Sequence, residues 1–355
     1  MSITALVFLL FYCYGLLKTI TGKPIYGLFS YLLAFYLHPQ SNFWGTGLPD
    51  LRWSFIAAVL TFLVILVKPS KDKMFFKFPE TKVFLVFVLY VVLQSFWAIS
   101  SASHTEYTIL AVKFLILIFL IQNTIKSEQD VVNFILVNLI GVAYFAYVGL
   151  TSDFSGRMEN VGGPGIRSSN TLAQHVVVVT FFSSYLLLGK FGKKQLYAIP
   201  LLALCIQVLA MAGSRSALLA LLLSGMVAIF FVPKPAKKKF YSLAAVAAFA
   251  VAIAIGPFMI ERFKSMATDQ SGEIQDKSAR SRFIIIEAQW EMFKEAPILG
   301  HGHAGTTWLS PFFIAEEYRS QGKKPSADKY KPTYRASHNF IMTLLVDHGI
   351  IGTIL

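Results

Sequence analysis

Residues 131–150 read VVNFILVNLIGVAYFAYVGL, twenty positions without one charged side chain. As an α-helix a run of this length rises about 30 Å, the thickness of the hydrocarbon core of a bilayer. Hydrocarbon offers backbone N–H and C=O groups no water, so a segment there must satisfy them internally, which a helix does. Outward from this stretch, comparable apolar runs lie near 3–17, 26–37, 53–67, 83–97, 107–121, 174–189, 196–212, 216–232, 241–258 and 339–355. Together they predict eleven spans, the second short enough to be re-entrant. The period-two alternation of a membrane β-barrel is missing. The expected fold is therefore all-α, a polytopic integral membrane helix bundle.

Composition points the same way. Of the 355 residues 55% are hydrophobic and only 14% charged, with a mean hydropathy of +0.59, which excludes an ordinary soluble domain. The run from Ile3 to Leu17 has no basic residues before it and many spans after it, so it reads as the first span and not a signal peptide. Cys13 and Cys205 both fall inside apolar runs, which supports neither a disulfide framework nor a thiolate metal site. The net charge of +13 would suggest nucleic acid in a soluble protein. Here the cations occupy short connections between spans, where they set topology, and no nucleic-acid partner is expected.

Those connections orient the chain. Lys18, Lys23, Lys68, Lys71, Lys73, Lys77, Lys82, Lys126, Lys190, Lys193, Lys194, Lys234, Lys237, Lys238 and Lys239 occupy alternate loops, which are read as cytoplasmic. The opposite short loops carry Arg52, Arg157, Arg167 and Arg215 alone, which places the N-terminus outside. The stretch from Met259 to Ser337 then becomes one large outer loop. Within it Phe283, Ile286, Trp290 and Phe293 recur at helical spacing before Pro297, the pattern of an interfacial amphipathic helix. The expected division is a bundle of ten spans over 1–258, the outer loop over 259–337, and a last span over 338–355.

Arginine usage carries the first chemical signal. The loop cations assigned to the cytoplasm are all lysine, whereas Arg52, Arg157, Arg167, Arg215, Arg262, Arg280, Arg282, Arg319 and Arg335 all map outside. A guanidinium presents a planar fork suited to phosphate, and lysine a point charge suited to anionic headgroups; arginine is equally suited to snorkelling at the interface. Three spans predicted to start outside have a cation at their start. Arg167 precedes Ser168-Ser169-Asn170, Arg215 follows Ser214, and Arg335 precedes Ser337-His338, with serine and asparagine as N-cap candidates. The helix dipole disfavours a cation there, and a bound anion such as a diphosphate would remove the conflict.

His338, in the first turn of the last span, is the candidate general base, because the dipole favours a neutral ring able to accept a proton. A structural histidine at the interface is the alternative. Gly300-His301-Gly302-His303 resembles a metal pair in spacing, yet no acidic or cysteine partner lies nearby, and a glycine-permitted turn is the preferred reading. No DxD-like spacing marks the outer carboxylates, so no cofactor or metal is expected. Lys113 and Asp347 fall inside spans, where a structural role is the default and a mutual ion pair a further possibility.

The stretch His338-Asn339 followed by Gly349-Ile350-Ile351-Gly352-Thr353 resembles the signature of O-antigen ligases. Three further segments are similar to the same superfamily, which also holds O-antigen polymerases and bacterial O-oligosaccharyltransferases. They are Gly213-Ser214-Arg215-Ser216-Ala217-Leu218; Arg282 to Trp290 with Pro297-Ile298-Leu299-Gly300-His301-Gly302; and Arg157 with Ser169-Asn170-Thr171-Leu172-Ala173. The resemblance covers about 155–355. The stretch from Lys23-Pro24 to Pro39-Gln40 is similar to members associated with exosortase-type exopolysaccharide loci.

The resemblance implies a metal-independent, inverting glycosyltransferase with a GT-C-like bundle in the bacterial inner membrane. Its donor would be an undecaprenyl-diphosphate-linked glycan at the periplasmic face. Its acceptor would be a hydroxyl of a lipid A core, a protein or, for a polymerase, another glycan. By position, His338 would take the acceptor proton and Arg215 and Arg282 would act on the diphosphate, with Arg157, Arg167, Ser214 and Arg335 as further binding residues. Arg335 and the lysine-rich stretch from Tyr318 to Tyr334 have no clear counterpart in the family, and relatives usually continue where this chain ends. A lipid-linked glycan transporter is the non-enzymatic alternative; repeats and ionisable groups through the midplane would mark it, whereas polar residues here crowd one face.

Overall fold

A computed structural model describes residues 2–68, 74–154, 156–189, 191–192, 194–246, 248–249, 277–320, 334–335, 337 and 339–355. The helices are α1 (Ile3–Ile20), α2 (Ile25–Leu37), α3 (Trp53–Val67), α4 (Pro79–Gln94), α5 (Ser101–Thr124) and α6 (Glu128–Thr151). They continue with α7 (Ser169–Leu188), α8 (Lys194–Ala212), α9 (Arg215–Phe231), α10 (Lys277–Glu295), α11 (Gly305–Ser320) and α12 (Phe340–Ile354). Among them α1, α5, α6, α7 and α8 are long and apolar enough to cross a membrane, while α3, α9 and α12 are shorter and apolar. The chain is a helical membrane protein. At 13 residues α2 rises only about 20 Å, short of a full crossing. The run expected near 241–258 lies largely outside the described residues.

Local chemistry sets the helix starts. Ser127 accepts from the Asp130 amide at 3.1 Å and Asp130 accepts from the Ser127 amide at 3.0 Å, a reciprocal capping box that opens α6. Ser168 and Ser214 cap α7 and α9 through the Thr171 and Ala217 amides. Asn339, not Ser337, caps α12 by accepting from Met342. α5 begins at Ser101 and not near 107, because Ser-Ala-Ser-His-Thr-Glu is polar enough to hide in an apolar scan yet compatible with a helix.

Chain contacts divide the protein into two compact units, 1–71 with 120–261, and 72–119 with 262–355. The first unit has two cores. Leu139, Phe145, Leu172, Val176 and Leu209 pack where α2, α6, α7 and α8 meet, and Phe8, Tyr12, Trp44 and Trp53 pack among α1, α2 and α3. Small residues permit close approach where lipid supplies no hydrophobic drive: a Cβ on Gly27 of α2 would stand 2.0 Å from Thr61 Oγ1 of α3. The second unit holds α4, most of α5, and α10–α12 around Ile284, Ile285, Ala288, Met292, Phe293, Ile314 and Val346. The amphipathic helix expected from Phe283 to Phe293 is present as α10. Its buried stripe runs through Ile284, Ile285, Ala288 and Met292, one position away from the stripe expected, and Phe283 and Trp290 are exposed.

Candidate functional site

In the second unit the segments Pro297–Gly302 and Gly349–Ile351 cross backbone to backbone. Gly349 takes φ 62° and ψ −168° inside α12, a conformation open to glycine alone, and so interrupts the helical ladder. The carbonyls of Val346 and Asp347, which would otherwise accept from Ile350 and Ile351, accept from His301 N (3.0 Å) and Gly302 N (2.8 Å). The released Ile350 and Ile351 amides donate instead to Pro297 O (2.9 Å) and Ile298 O (3.4 Å). Gly300, at φ 66°, fits under this crossing: its Cβ would stand 2.4 Å from Gly349 N. α4 braces the crossing, with Tyr90 Oη and Gln94 Nε2 donating to Leu299 O at 2.7 and 2.6 Å. Gly300-His301-Gly302-His303 is thus a glycine-permitted turn.

Three histidines, His104, His303 and His348, meet ring to ring at this turn, of which His104 and His348 carry no local signal in the sequence. His104 Nε2 donates to Val91 O (2.9 Å), so its Nδ1 accepts from His303 N (3.0 Å). His348 Nδ1 donates to Gln94 Oε1 (2.5 Å), so its Nε2 accepts from His303 Nδ1 (3.1 Å). Burial first, then the neighbouring His104, pushes His303 down to about 4, which keeps that ring neutral near pH 7. Among the described residues no group of three or more His, Cys, Asp or Glu has the geometry to hold a metal ion. Asp347 accepts from Ala304 N, Thr306 N and Thr306 Oγ1 at 3.0, 2.8 and 3.1 Å, so its carboxylate organises this turn and not Lys113.

At the start of α12 lies a cavity of about 360 Å³ lined by Arg282, Ile285, Ile286, Ser337, Asn339, Phe340 and Ile341. α10 carries Arg282, Ile285 and Ile286 about one turn apart on a single face, so an arginine and two isoleucines share one wall of the cavity. Ser337 and Asn339 are the two chain neighbours of His338, which itself lies outside the described residues. Ser337 Oγ donates to Gln289 Oε1 (2.8 Å) and accepts from Asn339 N (2.9 Å), and Arg335 N donates to Ser310 Oγ (2.8 Å). Gln289 gave no sign in the sequence.

The first unit gathers the remaining site candidates at the starts of α7 and α9. Arg157 Nη2 donates to Gly213 O at 2.6 Å, and Met158 N donates to Met211 O at 3.0 Å, pinning the loop to the end of α8. Ser214 Oγ donates to Asn170 Oδ1 at 2.9 Å, so the two helix starts touch, with half-buried Arg215 first in α9. Arg167 precedes the α7 cap and accepts from Asn160 N through its carbonyl. His38, at the end of α2, belongs to the same region; burial, and then the charge of Arg167, pushes it below the ordinary imidazole value. Of the three helix starts read as a set, α7 and α9 adjoin within this unit, and α12 belongs to the other.

A polytopic helical membrane protein with paired arginine-bearing helix starts, and a cavity that places an arginine beside apolar walls, is the class that fold and site define. Residues 200–355 match the Wzy_C family model, O-antigen ligase. The match contains Arg215, Arg282, the Pro297–Gly302 and Gly349 crossing, and the residues lining the cavity. No curated protein and no solved structure matches the chain.

Proposed function

We propose that this protein is an O-antigen ligase-type glycosyltransferase of the bacterial inner membrane. It moves a glycan from an undecaprenyl-diphosphate donor to an acceptor hydroxyl at the periplasmic face, without a metal and with inversion. The observation that carries the reading is the cavity in which Arg282 stands beside both chain neighbours of His338, inside the stretch that matches the family. The arginine-only loops support the periplasmic side, because the lysine-rich connections obey the positive-inside bias.

In the proposed reaction His338, neutral, takes the proton of the acceptor hydroxyl. The oxygen attacks the anomeric carbon from the face opposite the diphosphate. The glycosidic C–O bond forms as the carbon–phosphate-oxygen bond breaks, and the electron pair leaves with undecaprenyl diphosphate. In the second unit Arg282 meets the charge that develops on the leaving group and Arg335 helps bind it. In the first unit Arg157, Arg167, Ser214 and Arg215 bind phosphate oxygens, favoured by the positive ends of α7 and α9. The polyprenyl chain runs along the apolar helix faces among membrane lipids.

Deletion of the protein tests the reading through the species that accumulates. A ligase leaves long glycans on undecaprenyl diphosphate, and a polymerase of the same superfamily leaves single repeat units. Complementation with His338→Ala at equal protein level should leave that accumulation uncorrected; full restoration of glycan attachment refutes the base assignment.

A further inference from the structure

Gln289 is the least expected side chain of the second unit. It lies on α10 two helical turns beyond Arg282, is 0% exposed, and is an amide among Ile285, Ala288 and Met292. A buried amide is costly unless each of its groups is bonded. Its bonding has a single consistent direction. Thr306 Oγ1 spends its proton on Asp347 and Thr343 Oγ1 spends its own on Asn339 O (2.9 Å), so both oxygens can only accept from Gln289 Nε2, each at 3.4 Å. That fixes the amide and turns Oε1 toward Ser337, whose hydroxyl donates to it at 2.8 Å. Ser337 Oγ then accepts from the Asn339 amide. One side chain of α10 thus ties the start of α12, through Ser337, to the Asp347-centred turn beneath the glycine crossing.

We propose that Gln289 is a positioning residue for glycosyl transfer. It holds Ser337 and Asn339, which flank His338 in the chain, against the same helix that carries Arg282, and so fixes the α12 side of the cavity that these residues line together. This inference rests on the transfer reading above. The relevant distance is between a proton acceptor and a bound substrate, where small misplacements cost rate more than affinity.

The test uses the full chain reconstituted in liposomes, with undecaprenyl-diphosphate-linked repeat units as donor and lipid A core as acceptor. Gln289→Met, which keeps side-chain volume, is expected to lower kcat about tenfold or more while donor KM stays within about twofold. Ser337→Ala, at a half-buried site where folding is little affected, is expected to do the same. The double variant should lose no more than the worse single one, because both act through one contact. A merely structural role would reduce the folded fraction and leave kcat per folded molecule unchanged. Wild-type kcat in either folded single variant, or losses that multiply in the double variant, overturns the proposal. A wild-type protein that transfers nothing under these conditions removes the transfer reading, and the positioning role with it. Equal rates for wild type and His338→Ala refute the base assignment separately.

Discussion

Replacing Gly349 with alanine should strongly destabilise the second unit. At φ 62° and ψ −168° an L-residue carries strain of about 1–3 kcal/mol. The new Cβ would also stand 2.3 Å from Ile298 O, 2.5 Å from Ile298 C and 2.7 Å from Gly300 N, all of them backbone. No side chain can swing aside, so the crossing itself must open, and it is held by four exchanged backbone hydrogen bonds. Losing two of them at about 1 kcal/mol each brings the total to about 3–5 kcal/mol, a large part of the stability of a folded domain. Gly300→Ala, with Gly349 N at 2.4 Å from its Cβ, should behave alike. Gly225→Ala is the control: it is helical and has nothing within 4 Å, and should be neutral or stabilising by up to about 1 kcal/mol. Denaturant midpoints of the detergent-purified variants, read with near-UV circular dichroism, measure the differences. A Gly349→Ala protein as stable as wild type would refute the crossing as the structural centre of this unit.

Asn339→Ala removes the cap of α12 and should lower stability by about 1 kcal/mol in the same titration, with Asn339→Asp retaining most of it. Arg215→Lys keeps the charge but not the planar fork, and transfer by the reconstituted protein should drop at least about tenfold at unchanged stability; full activity would exclude bidentate binding there. His303, held at about 4 in the folded protein against an ordinary value near 6.5, binds fewer protons folded than unfolded between those values. Stability should therefore fall as pH drops from about 6.5 toward 4. His303→Asn, which keeps a donor toward His348 Nε2 and does not titrate, should flatten part of that slope in melts run across the interval.

The helices were legible because each span must be apolar along its own length, so 131–150 announces α6 without reference to any other part of the chain. The serine starts at Ser168 and Ser214 were legible for the same local reason, and the glycine turn at 300–303 followed from its spacing. What local reading missed was formed by residues far apart in sequence. The exchange of bonds between Pro297–Gly302 and Gly349–Ile351 is invisible until the two stretches of backbone meet. His104 sits in the polar first turn of α5, and His348 and Gln289 lie in helices whose hydrophobic pattern does not reveal which polar residue is buried. Ser337 was read as a cap because it precedes His338; it instead accepts from the Asn339 amide and donates to Gln289, leaving the cap to Asn339.

Glycosyl transfer from a polyprenyl diphosphate is most directly tested with the purified protein in liposomes, by measuring release of undecaprenyl diphosphate from a lipid-linked glycan. Release should require an acceptor hydroxyl, yield a glycosidic linkage inverted at the anomeric carbon, proceed in the presence of a chelator, and fall by about 10²–10⁴-fold in His338→Ala. Retention of configuration, or an undiminished rate in His338→Ala, would contradict the account.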